Sequence, residues 1–258
     1  MQTAGASGSV EPNLEQLAVQ AAEAAGIGAR LLVTPEMFLS GYNIGAPAIR
    51  ELAEPADGRA AARVAGIAGE HRIAILYGYP ERDGDAVFNA AKLVGADGAT
   101  LADYRKCHLY GDVDRDAFAA GNGFVRTDLE GVPVGILICY DVEFPEAVRA
   151  NALAGAVLVL VPTALMEPFD FVARTLVRAR AFENQIFVVY ANRCGVEGEF
   201  RYLGKSLVAG PDGAVVAEAN ASEALLIADV NVDEFTLSRR AFSYLEDRRP
   251  ELYGDIPR

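Results

Sequence analysis

Residues 134–146, VGILICYDVEFPE, decide the reading of this chain. Val134 to Ile138 form an apolar run rich in β-branched residues, which marks a strand covered on both faces, since a half-exposed strand would alternate. Cys139 stands at its end. Tyr140 and Asp141 follow, and Pro145 with Glu146 opens a helix, because proline suits the first helical position and an acid there complements the positive helix end. A strand that ends in a thiol and turns into a helix is an elbow, which lifts a reactive atom to the rim of a sheet and aims backbone N–H groups nearby. A cysteine at a strand end is by itself an ordinary small core residue. The rest of the chain decides between nucleophile and filler.

Downstream, helix and strand signals alternate. A helix from Pro145 to Leu153 leads to a strand from Ala156 to Val161, a long amphipathic helix from Phe169 to Asn184 and a buried strand from Ile186 to Tyr190. The turn Pro211-Asp212-Gly213 separates strands Lys205 to Ala209 and Ala214 to Ala217, and Ala224 to Asp229 closes the strand set. The charged, aromatic tail from Arg239 to Tyr253 is expected to lie across a neighbouring surface. Upstream, Leu14 to Ala25 has helical spacing and stops at Gly26 and Gly28, Leu31 to Val33 is a short buried strand, and Gly58 to His71 is a second helix. Strands follow at Ile73 to Tyr79, Ala86 to Ala91, Lys92 to Val94 and Leu101 to Tyr104, punctuated by Asp83-Gly84 and Asp97-Gly98. With no linker or repeat, this predicts one α/β domain over residues 1–258, two sheets packed together with helices outside.

The chain of 258 residues is 52% hydrophobic and 23% charged, enough for one large core. Its net charge of −13, from 36 acids against 23 bases, repels phosphate and disfavours nucleic acid and anionic membrane partners. Cys107, Cys139 and Cys194 lack CxxC spacing and only His71 and His108 are available as imidazoles, so neither a disulfide framework nor a metal site is expected, and a reducing cytoplasm is the natural compartment. The N-terminus lacks the basic start and apolar block of a signal peptide, and the longest apolar run is far short of the roughly 20 residues of a membrane span.

Two further residues share the position of Cys139. Glu36 follows the strand Leu31 to Val33, and Lys106 follows the strand Leu101 to Tyr104. Residues at carboxyl ends of strands share one rim of a sheet, where α/β folds place their sites. A carboxylate there takes a thiol proton, a thiolate attacks an electrophilic carbon and an ammonium stabilises the resulting oxyanion. Each has an ordinary alternative: Glu36 as a surface acid, Lys106 as a solvated cation, His108 as a Cys–His dyad partner of Cys139 in a peptidase.

VTPEMFLSGY around Glu36, YRKCHLYG around Lys106 and GILICYDVEFPE around Cys139 resemble, in order, the three motifs of the carbon–nitrogen hydrolase, or nitrilase, superfamily. Val161-Pro162-Thr163-Ala164, RARAFENQ from Arg178, Ala191-Asn192-Arg193, Gly204-Lys205-Ser206 and DRRPELY from Asp247 extend the resemblance over nearly the whole chain. It implies an αββα sandwich whose subunits pair across their helices into a four-layer homodimer, or a larger homo-oligomer. It also implies Cys139 as nucleophile, Glu36 as general base and Lys106 as oxyanion stabiliser, with the Tyr140 N–H as second donor and no cofactor. A fourth acid, usually glutamate, maps to Asp114, one methylene shorter. Tyr42 and Thr163 are expected at the pocket wall.

Two departures from the pattern carry expectations. The family's first core strand ends in a glutamine that matches Gln2, so a strand is expected upstream of the present start. Relatives acting on dicarboxylate monoamides carry arginine in the FPE motif, where this chain has Glu143, which would repel an anionic substrate and favour an amine. The expected activity is hydrolysis of a small, uncharged or cationic primary amide, such as an amino acid amide, to acid and ammonia. The subgroup is closest to bacterial amidases acting on small amides. A nitrilase or N-carbamoyl amide hydrolase is the enzyme alternative, and a catalytically silent interaction protein is the non-enzyme one.

Overall fold

Two sheets face each other across an apolar core in the computed structural model, which describes residues 1–254. The first sheet has the order β1 (Leu31–Val33), β2 (Ala74–Asp83), β3 (Ala86–Val94) and β4 (Thr100–Arg105), with β1 parallel to β2 and the rest antiparallel. In the second sheet, β5 (Val125–Leu129) pairs with β6 (Val132–Ile136), which lies parallel to β7 (Leu158–Thr163) and, beyond it, β8 (Phe187–Asn192). A hairpin, β9 (Cys194–Glu197) with β10 (Phe200–Leu203), stands apart, and β11 (Leu207–Ala209) with β12 (Val215–Glu218) completes the second sheet beside β8.

Leu76, Ala91, Leu93 and Tyr104 of the first sheet meet Val134, Ile136, Leu160 and Val188 of the second in one buried cluster. Burying both sheet faces removes apolar area from water at about 25 cal/mol per Å2, the main force holding the layers together. Outside the first sheet lie α1 (Glu11–Gly26) and α3 (Arg59–His71), which follows the short α2 (Ala46–Leu52). Leu14, Leu17, Val64 and Ile67 press on Leu32, Ile75 and Val94. After the short α4 (Gly111–Arg115), α5 (Pro145–Leu153) and α6 (Val177–Asn184) cover the second sheet through Val148, Ala152, Val177 and Ala181. The layers are therefore αββα, as expected.

Several elements differ from the sequence reading. Ala86 to Val94 is one continuous strand, because its full length pairs with β2. The helix predicted from Phe169 to Asn184 is interrupted by a π-helical turn, Val172–Leu176. The predicted strand Ala224 to Asp229 has no ladder, and its single bridge joins Ala224 to Gln2. A strand exists only with a partner edge, and here the neighbouring space is a cavity of about 630 Å3 lined by Leu31–Val33, Val189, Leu207, Val208 and Leu225–Val230. Met1 closes one end, its terminal nitrogen donating to the Val33 carbonyl at 2.5 Å. The tail carries a helix not read from sequence, α7 (Val232–Ala241), and then folds over α6, with Tyr244 edge-on to Phe182.

Candidate active site

β1, β4 and β6 point their carboxyl ends to one rim, which brings the three segments following them together. Glu36 lies in a loop that crosses β2 at Gly78, where an added Cβ would sit 2.5 Å from the Met37 nitrogen. Only glycine permits that approach. Lys106 leaves β4 with its N–H on the Asn89 carbonyl and its carbonyl accepting from Gly121 N–H. Cys139 opens a 3-10 turn, Cys139–Glu143, and adopts φ 46°, a left-handed conformation that costs a non-glycine residue about 1–3 kcal/mol.

Lys106 is the hub. Its Nζ lies 2.8 Å from Glu36 Oε1 and 2.7 Å from Asp114 Oδ2, with all three side chains closed to solvent. Asp114 reaches it without the extra methylene because α4 brings the backbone close. Its Oδ2 also accepts from Tyr110 N–H at 2.8 Å, and its Oδ1 from the Tyr42 hydroxyl at 2.9 Å. The Tyr42 ring lies 5.7 Å from the ammonium. Burial alone would lower the Lys106 pKa, but the charges of Glu36 and Asp114 outweigh it and hold the ammonium well above its usual range.

Glu36 is asymmetric. Its Oε1 accepts from Lys106 and from Asn89 Nδ2 at 2.7 Å, while its Oε2 is buried without a hydrogen bond. Burial raises the Glu36 pKa, Lys106 opposes this, and Asp114 adds to it. Burial and then the Glu36 charge push the Cys139 thiol well up, against the Lys106 charge and the Ala164 N–H. The site therefore holds Cys139 as a thiol beside the Glu36 carboxyl group, whose Oε2 is free, an arrangement suited to proton transfer between them.

The other candidates divide. Thr163 contributes main chain: its carbonyl accepts from Glu36 N–H at 3.3 Å and Arg193 N–H at 3.1 Å, while its hydroxyl turns to the Val161 carbonyl. Tyr140 and Tyr110 meet edge to face at 5.4 Å, and Phe144 and Phe169 extend this aromatic wall. Glu143 has its carbonyl held by Arg180 Nη2 at 2.7 Å. Its carboxyl is raised by burial and lowered by Lys106 and Arg180, Lys106 being the cation felt more strongly. Burial, more than any neighbouring charge, raises the Tyr110 phenol.

His108 points elsewhere, its Nδ1 2.7 Å from Asp141 Oδ1, so it is committed away from a dyad with Cys139. Cys107 Sγ faces the Arg105 and Gly123 carbonyls, and Cys194 is buried. Arg180 pairs with Glu183 at 3.1 Å.

Two supports were not read from the sequence. Asn89 orients Glu36, signalled only as a polar residue amid an apolar strand. The second is Glu197 on β9, which accepts from Tyr42 N–H, Asn43 N–H, Ser7 and Tyr202 and lies 3.5 Å from Arg193. Burial works to raise that carboxyl, yet Arg193 and these donors hold it below its ordinary value. Arg193 in turn donates to the Glu36 and Met37 carbonyls, fixing the loop that carries Glu36.

Comparison with known proteins agrees with this geometry. The chain is 53% identical over 249 residues to "Hydrolase in pqqF 5'region" of Pseudomonas protegens, covering 96% of this chain and 87% of that protein. It is 36% identical over 256 residues to an (R)-stereoselective amidase of a Pseudomonas species, covering 99% and 92%. An amidase from Nesterenkonia sp. AN1 superposes with a TM-score of 0.85 at 37% identity, over 98% of this chain and 96% of that one. A variant of that amidase is described with the acetamide moiety of fluoroacetamide added covalently at its active site cysteine. Residues 1–240 match the family model for carbon-nitrogen hydrolases, and with the fold and the clustered acid, lysine and thiol this places the chain in the carbon-nitrogen hydrolase family, enzymes that act on C–N bonds.

Proposed function

We propose that the protein is an amidase that hydrolyses a small primary amide bearing an amine, such as an amino acid amide, to the acid and ammonia. The observation that carries this reading is the free Glu36 Oε2 beside Cys139, with Lys106 held between two carboxylates. Glu36 takes the Cys139 proton and the thiolate attacks the amide carbon, forming a C–S bond. The oxyanion is stabilised by the Lys106 ammonium and the Tyr140 backbone N–H, while Asp114 and Tyr42 hold Lys106 in place. Collapse breaks the C–N bond, Glu36 returns its proton to the leaving nitrogen, and ammonia departs from a thioester. Glu36 then deprotonates a water that attacks the thioester carbon, releasing the acid and restoring the thiol.

Support for an amine-bearing substrate comes from Glu143, which closes the turn that Cys139 opens and whose carboxylate forms no salt bridge among the described residues. An ammonium there gains an opposite charge and an aromatic wall, whereas a second carboxylate meets repulsion. Phe171, Leu237, Phe242 and Leu252 are exposed on the helical face and tail, an apolar surface suited to a homodimer. The three free thiols suit a reducing cytoplasm.

The test is ammonia release from neutral amides, amino acid amides, dicarboxylate monoamides, nitriles and carbamoyl amines, with Cys139→Ala and Glu143→Arg alongside. Cys139-dependent release from amino acid amides, with Glu143→Arg shifting preference toward dicarboxylate monoamides, is the expected result. Preference of the unaltered protein for dicarboxylate monoamides or nitriles would overturn the substrate assignment, and activity in Cys139→Ala would overturn the mechanism.

A further inference from the structure

Asp141, two residues past the thiol, is fully buried and receives four donors. Its Oδ2 accepts from the Tyr104 hydroxyl at 2.7 Å and from Ile138 N–H at 3.0 Å. Its Oδ1 accepts from His108 N–H at 2.9 Å and faces His108 Nδ1 at 2.7 Å. Its own N–H donates to the Ile138 carbonyl at 3.0 Å, so Ile138 and Asp141 clasp each other across Cys139. This clasp encloses the left-handed Cys139, a conformation that persists only where its surroundings over-determine it.

The same carboxylate reaches the other half of the site. His108 lies two residues past Lys106, and its ring stacks on Phe144 at 4.0 Å and 14°. Phe144 ends the turn that Cys139 begins. The segment after Lys106 is thus docked onto the nucleophile's own turn, held by a carboxylate on one side and a ring on the other. A carboxylate accepts from all four at once, whereas an amide would set its NH2 against a main-chain N–H, that of Ile138 or that of His108.

We propose that Asp141 is the positioning residue of the site: it holds Cys139 in its strained conformation and fixes the Lys106 segment against it, so that thiol and ammonium keep their register. This rests on Cys139 being the nucleophile. A shift of about 1 Å in such an array costs on the order of 100-fold in rate, and the loss falls on kcat because Asp141 does not face the pocket.

The experiment compares the unaltered protein with Asp141→Asn, Tyr104→Phe and His108→Gln, using Cys139→Ala as the reference for the underlying mechanism. Steady-state ammonia release, the rate of Cys139 alkylation by iodoacetamide and Tm are read for each. Asp141→Asn is expected to lower kcat by about 100-fold and slow alkylation, with KM changed less than about threefold. Tyr104→Phe and His108→Gln keep the carboxylate and remove one donor each; smaller kcat losses at unchanged KM are expected, and they carry the test if Asp141→Asn fails to fold. Unchanged kcat and alkylation with only a lower Tm would overturn the proposal. Activity remaining in Cys139→Ala would instead overturn the mechanism beneath it.

Discussion

The rim that carries Glu36, Lys106 and Cys139 and the cavity beside β1 are built from the same two sheets and satisfy their polar groups in opposite ways. At the rim, three buried charged groups are cross-linked by hydrogen bonds, and among the side-chain oxygens of Glu36, Asp114 and Tyr42 only Glu36 Oε2 is left without one. Beside β1, the outer strand edge and the extended Leu225–Val230 face open space, and the buried Met1 amine is the group that bonds to that edge. The polar contacts thus fix the geometry of the rim, while the edge of β1 keeps backbone groups free to pair with a further strand.

The largest expected effect breaks the rim outright. Cys139→Ala is expected to lower ammonia release by about 10^4-fold or more, and Lys106→Ala to do nearly the same, because groups acting as a unit fail together. Tolerance of Lys106→Ala with loss in His108→Ala would instead mark a Cys–His enzyme.

Next comes the base. Glu36→Gln is expected to cost about 10^2 to 10^4-fold in kcat. Because burial raises the Glu36 pKa and the reaction needs the carboxylate, kcat/KM of the unaltered protein should fall with acid at a pH above the ordinary carboxylate range. A limb at about pH 4 would show that Glu36 is not the titrating group.

The cavity gives the third contrast. Burial pushes the Met1 amine down from 8.0 to about 5. For a polypeptide that begins at Met1, the unfolded chain binds a proton between these values that the folded chain excludes, so stability is expected to be full above pH 8 and to be lost as pH falls toward 5, by up to about 4 kcal/mol. An apolar segment of about six residues joined ahead of Met1 replaces the amine by an amide and can pair with both open edges. It should abolish that slope and raise Tm by several °C at unchanged kcat, as calorimetry from pH 5 to 8 would show. An unchanged Tm and slope would mean that the cavity does not accept a strand.

The smallest effect concerns a support of the rim. Asn89→Ala leaves Glu36 its Lys106 contact, so a loss of about tenfold in kcat is expected, checked by steady-state kinetics.

The rim was legible because Glu36, Lys106 and Cys139 each follow an apolar strand, and strand ends converge by topology. Asn89 was not, since its link to Glu36 depends on the pairing of β3 with β4 and on the β1 loop crossing Gly78. Asp141 lay in plain view within the elbow, yet three of its four partner atoms belong to the distant 104–108 stretch, and no spacing encodes that. Ala224 to Asp229 failed as a strand for the converse reason: an apolar pattern states what a segment can pair with, and only the fold states whether a partner edge is there. The hairpin β9–β10 escaped because its short strands bracket Gly198 without a long apolar run.

Glu197 carries a kinetic consequence. By holding the Tyr42 and Asn43 amides while Arg193 holds the Glu36 and Met37 carbonyls, it removes the loop bearing the base from the set of segments free to swing. With that loop fixed, the motion left near the thiol is that of side chains, nanoseconds instead of the microseconds to milliseconds of a closing lid. Bond making and breaking is then expected to set turnover, and an added viscogen to leave kcat unchanged, as a viscosity series would show.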